Sequence, residues 1–217
     1  VFPKITVSPK QMVSNQLLKA IDGCDSLVYL TGDHSINSPW VTLEKDYALR
    51  TNKPVYSFDA VKNLFTRDRS NPMDMPVFPT YSRSDKEQVD RILRVMKDER
   101  YFDLFIDYED ISPGDNITES IDHGVSSRLQ QGGYVVVFWG KAASECEWVK
   151  YELSMSAKQF PEQILLAQLD DTELPEGFTH LPPVHLFNQD TQNIDMNRLD
   201  DLIVRIYWLI DKTSAPV

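Results

Sequence analysis

Tyr134 to Trp139 reads Tyr-Val-Val-Val-Phe-Trp, six apolar residues with no polar one among them. A strand with one wet face alternates, so an unbroken run implies cover on both faces. The run is far shorter than the roughly 20 residues that cross a bilayer. It predicts an inner strand of a parallel sheet with helices above and below. The surrounding chain supplies matching elements. Val77 to Tyr81 reads as a strand, and Ser84 with Glu87 forms a capping box. Val89, Ile92, Leu93 and Met96 follow at helical spacing. Tyr101 to Asp107 is a second strand, ending in the turn-rich loop 111–116, with a helix expected over 117–129. Ser144 with Glu147 is a second capping box, opening a helix to about Gln159. Ile164 to Leu169 and Val184 to Phe187 are further strands. Leu199, Leu202, Ile203, Ile206 and Ile210 give a closing amphipathic helix. Ligands of such sheets sit beyond the carboxyl ends of the strands. That places 81–83, 107–114 and 140–152 around one crevice.

The first part of the chain repeats the middle of this pattern. Leu27-Val28-Tyr29-Leu30 is followed by Gly32, Trp40 and Glu44, and Val135-Val136-Val137-Phe138 by Gly140, Trp148 and Glu152. Each corresponding Gly, Trp and Glu lies 108 residues further on. Pro54 to Asp59 parallels Ile164 to Asp170. A strand-helix-strand unit is therefore expected over 20–59, the middle of a related α/β unit without its opening elements. The expected division is 1–71 for this partial repeat and 72–217 for the complete domain.

Charge and cysteine content narrow the function. The net charge of −11 repels nucleic acid backbones. No apolar run is long enough for a membrane span. Cys24 and Cys146 form no metal spacing and a poor disulfide framework, and four scattered histidines add no ligand set, so no metal site is expected. A reducing cytoplasm is the default compartment. Asp170-Asp171-Thr172-Glu173 reads as a solvated acidic loop.

The ordered set of motifs resembles the Toll/interleukin-1 receptor (TIR) family, in its bacterial form. The carrying residues are Tyr81-Ser82-Arg83-Ser84-Asp85 after the first strand, Phe105-Ile106-Asp107 with Ile111-Ser112-Pro113-Gly114, and Cys146-Glu147-Trp148-Val149-Lys150-Tyr151-Glu152-Leu153. The last resembles the family's Ser-x-Trp-x-x-x-Glu-Leu helix, with Cys146 in place of Ser. The resemblance implies a flavodoxin-like three-layer α/β sandwich with a parallel sheet, preceded here by a partial TIR-like repeat.

It also implies two functional branches. One cleaves NAD+ at the nicotinamide–ribose bond, giving ADP-ribose or a cyclic variant, in a defence or cell-death setting. NAD+ is then a substrate, and no cofactor is needed. The glutamate carried over is Glu152. Tyr81, Ser82, Arg83, Trp139, Gly140 and Trp148 are the expected binding positions. Bond breaking develops oxocarbenium-like charge on the ribose, which a nearby carboxylate stabilises. Trp148 and Glu152, four apart, share one helix face. The other branch is a non-catalytic signalling or assembly module that binds other TIR domains, with the loop 111–116 as contact. The bland readings are a solvent-facing Glu152, Trp148 as a packing residue and Arg83 in a surface ion pair. Trp139, bulkier than the family's usual residue, is expected to wall or block a nicotinamide pocket.

Overall fold

The computed structural model describes residues 13–32, 35, 38–72, 76–99, 102–105, 126, 129–130, 132–188, 190–191 and 193–214. The chain divides into two compact units, Val1–Met73 with Asp200–Val217, and Asp74–Leu199. The loop 111–116 and the helix expected over 117–129 lie outside the described residues, apart from the helical positions 126 and 129.

The first unit holds α1 (Val13–Asp22), β1 (Leu27–Thr31), α2 (Pro39–Arg50), β2 (Val55–Asp59) and β3 (Leu64–Asp68). Leu18 and Ile21 bury one face of α1. Pro39 sits in the first turn of α2, where its missing N–H costs nothing. β1 and β2 are parallel, with Leu27 opposite Val55 and Thr31 opposite Asp59. The expected strand-helix-strand order over this segment is present. β3 was not foreseen. It pairs antiparallel to β2, across a turn in which the Asp59 carboxylate accepts the N–H groups of Val61 and Lys62, each at 3.0 Å. Asn63 takes a left-handed φ of 50° there, a conformation asparagine tolerates. Leu-Phe-Thr-Arg-Asp carries no clean alternation, so only its pairing makes it a strand.

The second unit carries β4 (Pro76–Thr80), α3 (Lys86–Arg94), β5 (Asp103–Leu104), β6 (Tyr134–Trp139), α4 (Lys141–Glu145), α5 (Glu147–Gln159), β7 (Ile164–Gln168) and β8 (Val184–His185). The sheet order is β5-β4-β6-β7-β8, and every pairing is parallel. In order of appearance this is 2-1-3-4-5, the flavodoxin-like winding. All six residues of β6 are buried, as an inner strand covered on both faces requires. On one face Val135, Val137 and Trp139 meet Val149 and Leu153 of α5 in a core that includes Phe78 and Phe105, whose rings stack at 5.6 Å. Pro79 is tolerated in an inner strand for a geometric reason. The Val77 carbonyl accepts Phe105 N–H at 3.0 Å, so Val77 and Pro79 both turn their backbone groups toward β5. The β4–β5 pairing is confined to Pro76 and Val77 on the β4 side, which leaves no donor demanded of the proline.

Two helix starts differ from the expected capping boxes. Ser82, not Ser84, caps the first helical turn, its Oγ accepting Ser84 N–H at 3.3 Å. Ser144 lies inside α4, its hydroxyl donating to the Lys141 carbonyl at 2.8 Å. The chain breaks at Cys146, whose extended backbone starts α5 without a side-chain cap. A box motif cannot tell a helix start from a helix already begun. The closing helix is α6 (Leu199–Ser214). Its polar ties run to the first unit: Asp200 accepts both the N–H and the hydroxyl of Ser14, and Asp46 accepts Tyr207 O–H at 3.2 Å.

Candidate functional site

β4 and β6 lie side by side at the point where the winding reverses, and the chain leaves β4 through Tyr81 to Arg83. α5 passes the same end of the sheet. Between them lies a cavity of about 180 Å³, lined by Phe78, Pro79, Tyr81, Arg83, Lys86, Trp148 and Glu152. Four of the expected site residues thus converge: Tyr81, Arg83, Trp148 and Glu152.

α5 explains how Glu152 reaches this position. Val149, Glu152, Leu153 and Ser156 form its buried stripe at helical spacing. Val149 and Leu153 go to the core, and the register carries the carboxylate inward with them. Glu152 is only 5% exposed. The Trp148 indole N–H donates to its Oε1 at 2.9 Å, one turn away. A buried carboxylate needs such donors, because burying an unpaired ionised group costs far more than the roughly 2–7 kcal/mol of a neutral amide or hydroxyl. Trp148 itself remains 39% exposed, and Tyr151 beside it 42%. Their rings lie 5.6 Å apart. Trp148 is therefore both a donor to Glu152 and part of an outward aromatic pair.

Ser82, Trp139 and Gly140 do not line the cavity. Ser82 is the helix cap described above. Trp139, expected to wall or block a pocket, is packed in the core, with its indole N–H on the Glu173 carbonyl at 2.8 Å. The strand's alternation turns it toward α5. Gly140 starts α4 against Asp170: a Cβ there would stand 2.9 Å from Asp170 Oδ2. Asp170 accepts the N–H of Lys141 at 2.9 Å and of Thr172 at 2.9 Å. Burial opposes its ionised form, but the hydrogen bonds from Thr172 and Lys141 outweigh it and hold the carboxyl below the usual range. The stretch from Asp170 to Glu173 is thus a bracing element at the end of β7 rather than a merely solvated loop.

Sequence reasoning missed Lys86. Lys86 joins the cavity because it stands three residues after Arg83, on the same side of the first helical turn. It also pairs with Asp90 at 3.1 Å. The Asp85 carboxyl is pushed up, first by burial and also by the charge of Asp170, against a hydrogen bond from Gln88. In the first unit Glu44 lies on α2, half-buried. Its carboxyl is pushed up by burial.

Among the described residues no group of three or more His, Cys, Asp or Glu side chains could hold a metal ion. Among them, too, no helix is long and apolar enough to cross a membrane.

Residues 77–203 match the family model of the TIR domain. Among solved structures, the chain is similar to the crystal structure of the TIR domain of the Toll-related receptor TRR-2 from Hydra magnipapillata. The identity is 18% and the TM-score 0.43, over 49% of this chain and 80% of that one. No curated protein matches.

Proposed function

Because this chain belongs to the TIR domain family, we propose that it is a TIR signalling and assembly module that acts by associating with other TIR domains. The observation that carries this reading is the division of labour on α5. The helix turns the carboxylate of Glu152 inward, 5% exposed, while Trp148 and Tyr151 face solvent as an aromatic pair. Paired aromatics at a surface are the residue types that dominate protein contacts. Light scattering over a concentration series tests the reading. Wild-type protein should self-associate, and Tyr151→Arg should weaken that association without lowering the melting temperature. A wild-type protein that stays monomeric, alone and with a second TIR domain, overturns it.

A second reading is favoured by one specific observation, the convergence of Tyr81, Arg83, Trp148 and Glu152 on one cavity at the carboxyl ends of the strands. On this reading the protein is a bacterial-type, cytoplasmic NAD+ glycohydrolase. Glu152 would stabilise the oxocarbenium-like ribose, and Arg83 with Lys86 would face the pyrophosphate. Nicotinamide leaves as a neutral base and needs no acid. Release of free nicotinamide from NAD+ tests it directly. The constant spacing of Gly32, Trp40 and Glu44 with Gly140, Trp148 and Glu152 further supports a partial TIR-like copy before the matched domain. The loop 111–116 is part of the assembly reading, with Gly114→Val expected to reduce association.

A further inference from the structure

The three-stranded sheet of the first unit is covered on one face and open on the other. α2 lies against the face that holds Tyr29 and Asp68, where Lys45 pairs with Asp68 at 2.9 Å and stands 5.7 Å from the centre of the Tyr29 ring. The register puts two rows on the opposite face, Val28-Tyr56-Arg67 and Leu30-Phe58-Phe65. Leu30 is 62% exposed there and Phe65 54%. Contiguous exposed apolar surface marks an interaction site. Its rings are arranged in a particular way. Phe65 stacks on Tyr56 at 5.1 Å with 25° between the planes, and Phe58 is tilted beside it at 6.4 Å. Aromatic side chains on an exposed sheet face hold nucleobases well, because every base has a π-face to stack on them.

Charge adjoins the rings. Arg67 is the cross-strand partner of Tyr56, and with Arg69 and Lys53 it lines a cavity of about 390 Å³ at the end of the sheet. Among the described residues, neither arginine has a hydrogen-bond or ion-pair partner. The Lys53 ammonium donates to the carbonyls of Asp22 and Cys24, at 2.9 and 2.8 Å, and adds a fixed positive charge. The carboxylate that also lines the cavity, Asp68, is already paired with Lys45. A chain of net charge −11 thus carries a local excess of cations beside stacked rings. The same net charge decides between ligands. A strand of nucleic acid brings a row of phosphates against it. A free nucleotide brings a single phosphate group, which a guanidinium fork can grip.

We propose that this sheet face is a binding site for a free nucleotide, whose base stacks on Phe65 and Phe58 and whose phosphate meets Arg67 and Arg69. The site lies outside the residues matched to the TIR domain and uses nothing of the Glu152 cavity. Calorimetric titration of the full chain with AMP, GMP, CMP and UMP tests it. At least one should bind with a Kd below about 1 mM. Phe65→Thr should weaken that binding about tenfold, with the melt unchanged because the ring is exposed. Arg67→Gln should weaken the nucleotide and leave the corresponding nucleoside unaffected, which reads the phosphate contact separately from the stacking. Glu152→Gln should change neither. Four nucleotides that all fail to bind, or binding that survives Phe65→Thr intact, overturns the proposal. So does a nucleoside weakened by Arg67→Gln as much as its nucleotide. Loss of binding in Glu152→Gln would move the nucleotide to the other cavity, and a single-stranded oligonucleotide binding more tightly than the nucleotide would make the face a nucleic-acid surface. Either result also overturns it.

Discussion

Glu152 and Gly140 were singled out together, yet they depend on their surroundings in different ways. Glu152 is held by the Trp148 indole N–H and the buried stripe of α5. If the chain cleaves NAD+, Glu152→Gln keeps the side-chain volume and removes the charge. Nicotinamide release should then fall by about 10²-fold or more, with the melt preserved. Wild-type turnover in a folded Glu152→Gln variant would remove Glu152 from the chemistry. Gly140 is a packing requirement. Its backbone is extended and unstrained, but Asp170 occupies the space a Cβ needs. Gly140→Ala should displace Asp170 from Lys141 N–H and Thr172 N–H, costing about 1–3 kcal/mol. Urea denaturation measures this, and an unchanged midpoint refutes it.

At the scale of elements, α2 and β3 are tied by a polar cluster. Asp68 accepts the Tyr29 hydroxyl at 2.9 Å and pairs with Lys45 at 2.9 Å. Burial pushes the Tyr29 hydroxyl up to about 12, with Asp68 adding to the shift. The folded state therefore keeps this proton beyond the ordinary tyrosine value near 10. The resulting stability is complete below about pH 10 and is lost as pH rises toward 12. Asp68 shifts the other way. Burial opposes its charge, but hydrogen bonds from Lys45, Ser70 and Tyr29 hold its carboxyl well below the carboxylate range. Its contribution is present above about pH 4 and fades as pH falls below that. Denaturation midpoints measured against pH should show both limbs. Tyr29→Phe should flatten the alkaline limb, and Asp68→Asn the acid one. A profile identical to wild type in either variant contradicts the assignment.

At the scale of the whole molecule, the chain ends return to the first unit while the second is continuous in sequence. Asp46 is a key tie of that arrangement, accepting both Arg50 Nε–H at 2.8 Å and the buried Tyr207 hydroxyl. Asp46→Ala leaves the tyrosine hydroxyl without this acceptor, at a cost of about 1–3 kcal/mol. Hydrogen exchange should then speed up over 13–72 and 200–214, with 76–188 keeping its protection. Uniform acceleration across the chain would show that the two cores do not respond separately.

The elements whose periodicity is local were legible in the sequence. The run of β6 announces a strand buried on both faces because it is short, rich in Val and aromatic residues, and flanked by Gly132, Gly133 and Gly140. α5 and α3 follow from their buried stripes, and the Trp148–Glu152 pairing from the pitch of a helix. β3 was not legible, since an exposed strand is made by its hydrogen-bonding partner and not by its hydropathy. Nor were the true cap at Ser82 and the break at Cys146, which depend on where the preceding strand delivers the chain. Trp139 and Asp170 could be assigned only once the sheet and its loops were assembled, because a strand's facing and a carboxylate's donors come from residues distant in sequence. Local periodicity determined which elements form. Tertiary packing decided which side chains share a cavity and which donors a buried carboxylate meets, because those are properties of neighbours the chain brings together from afar.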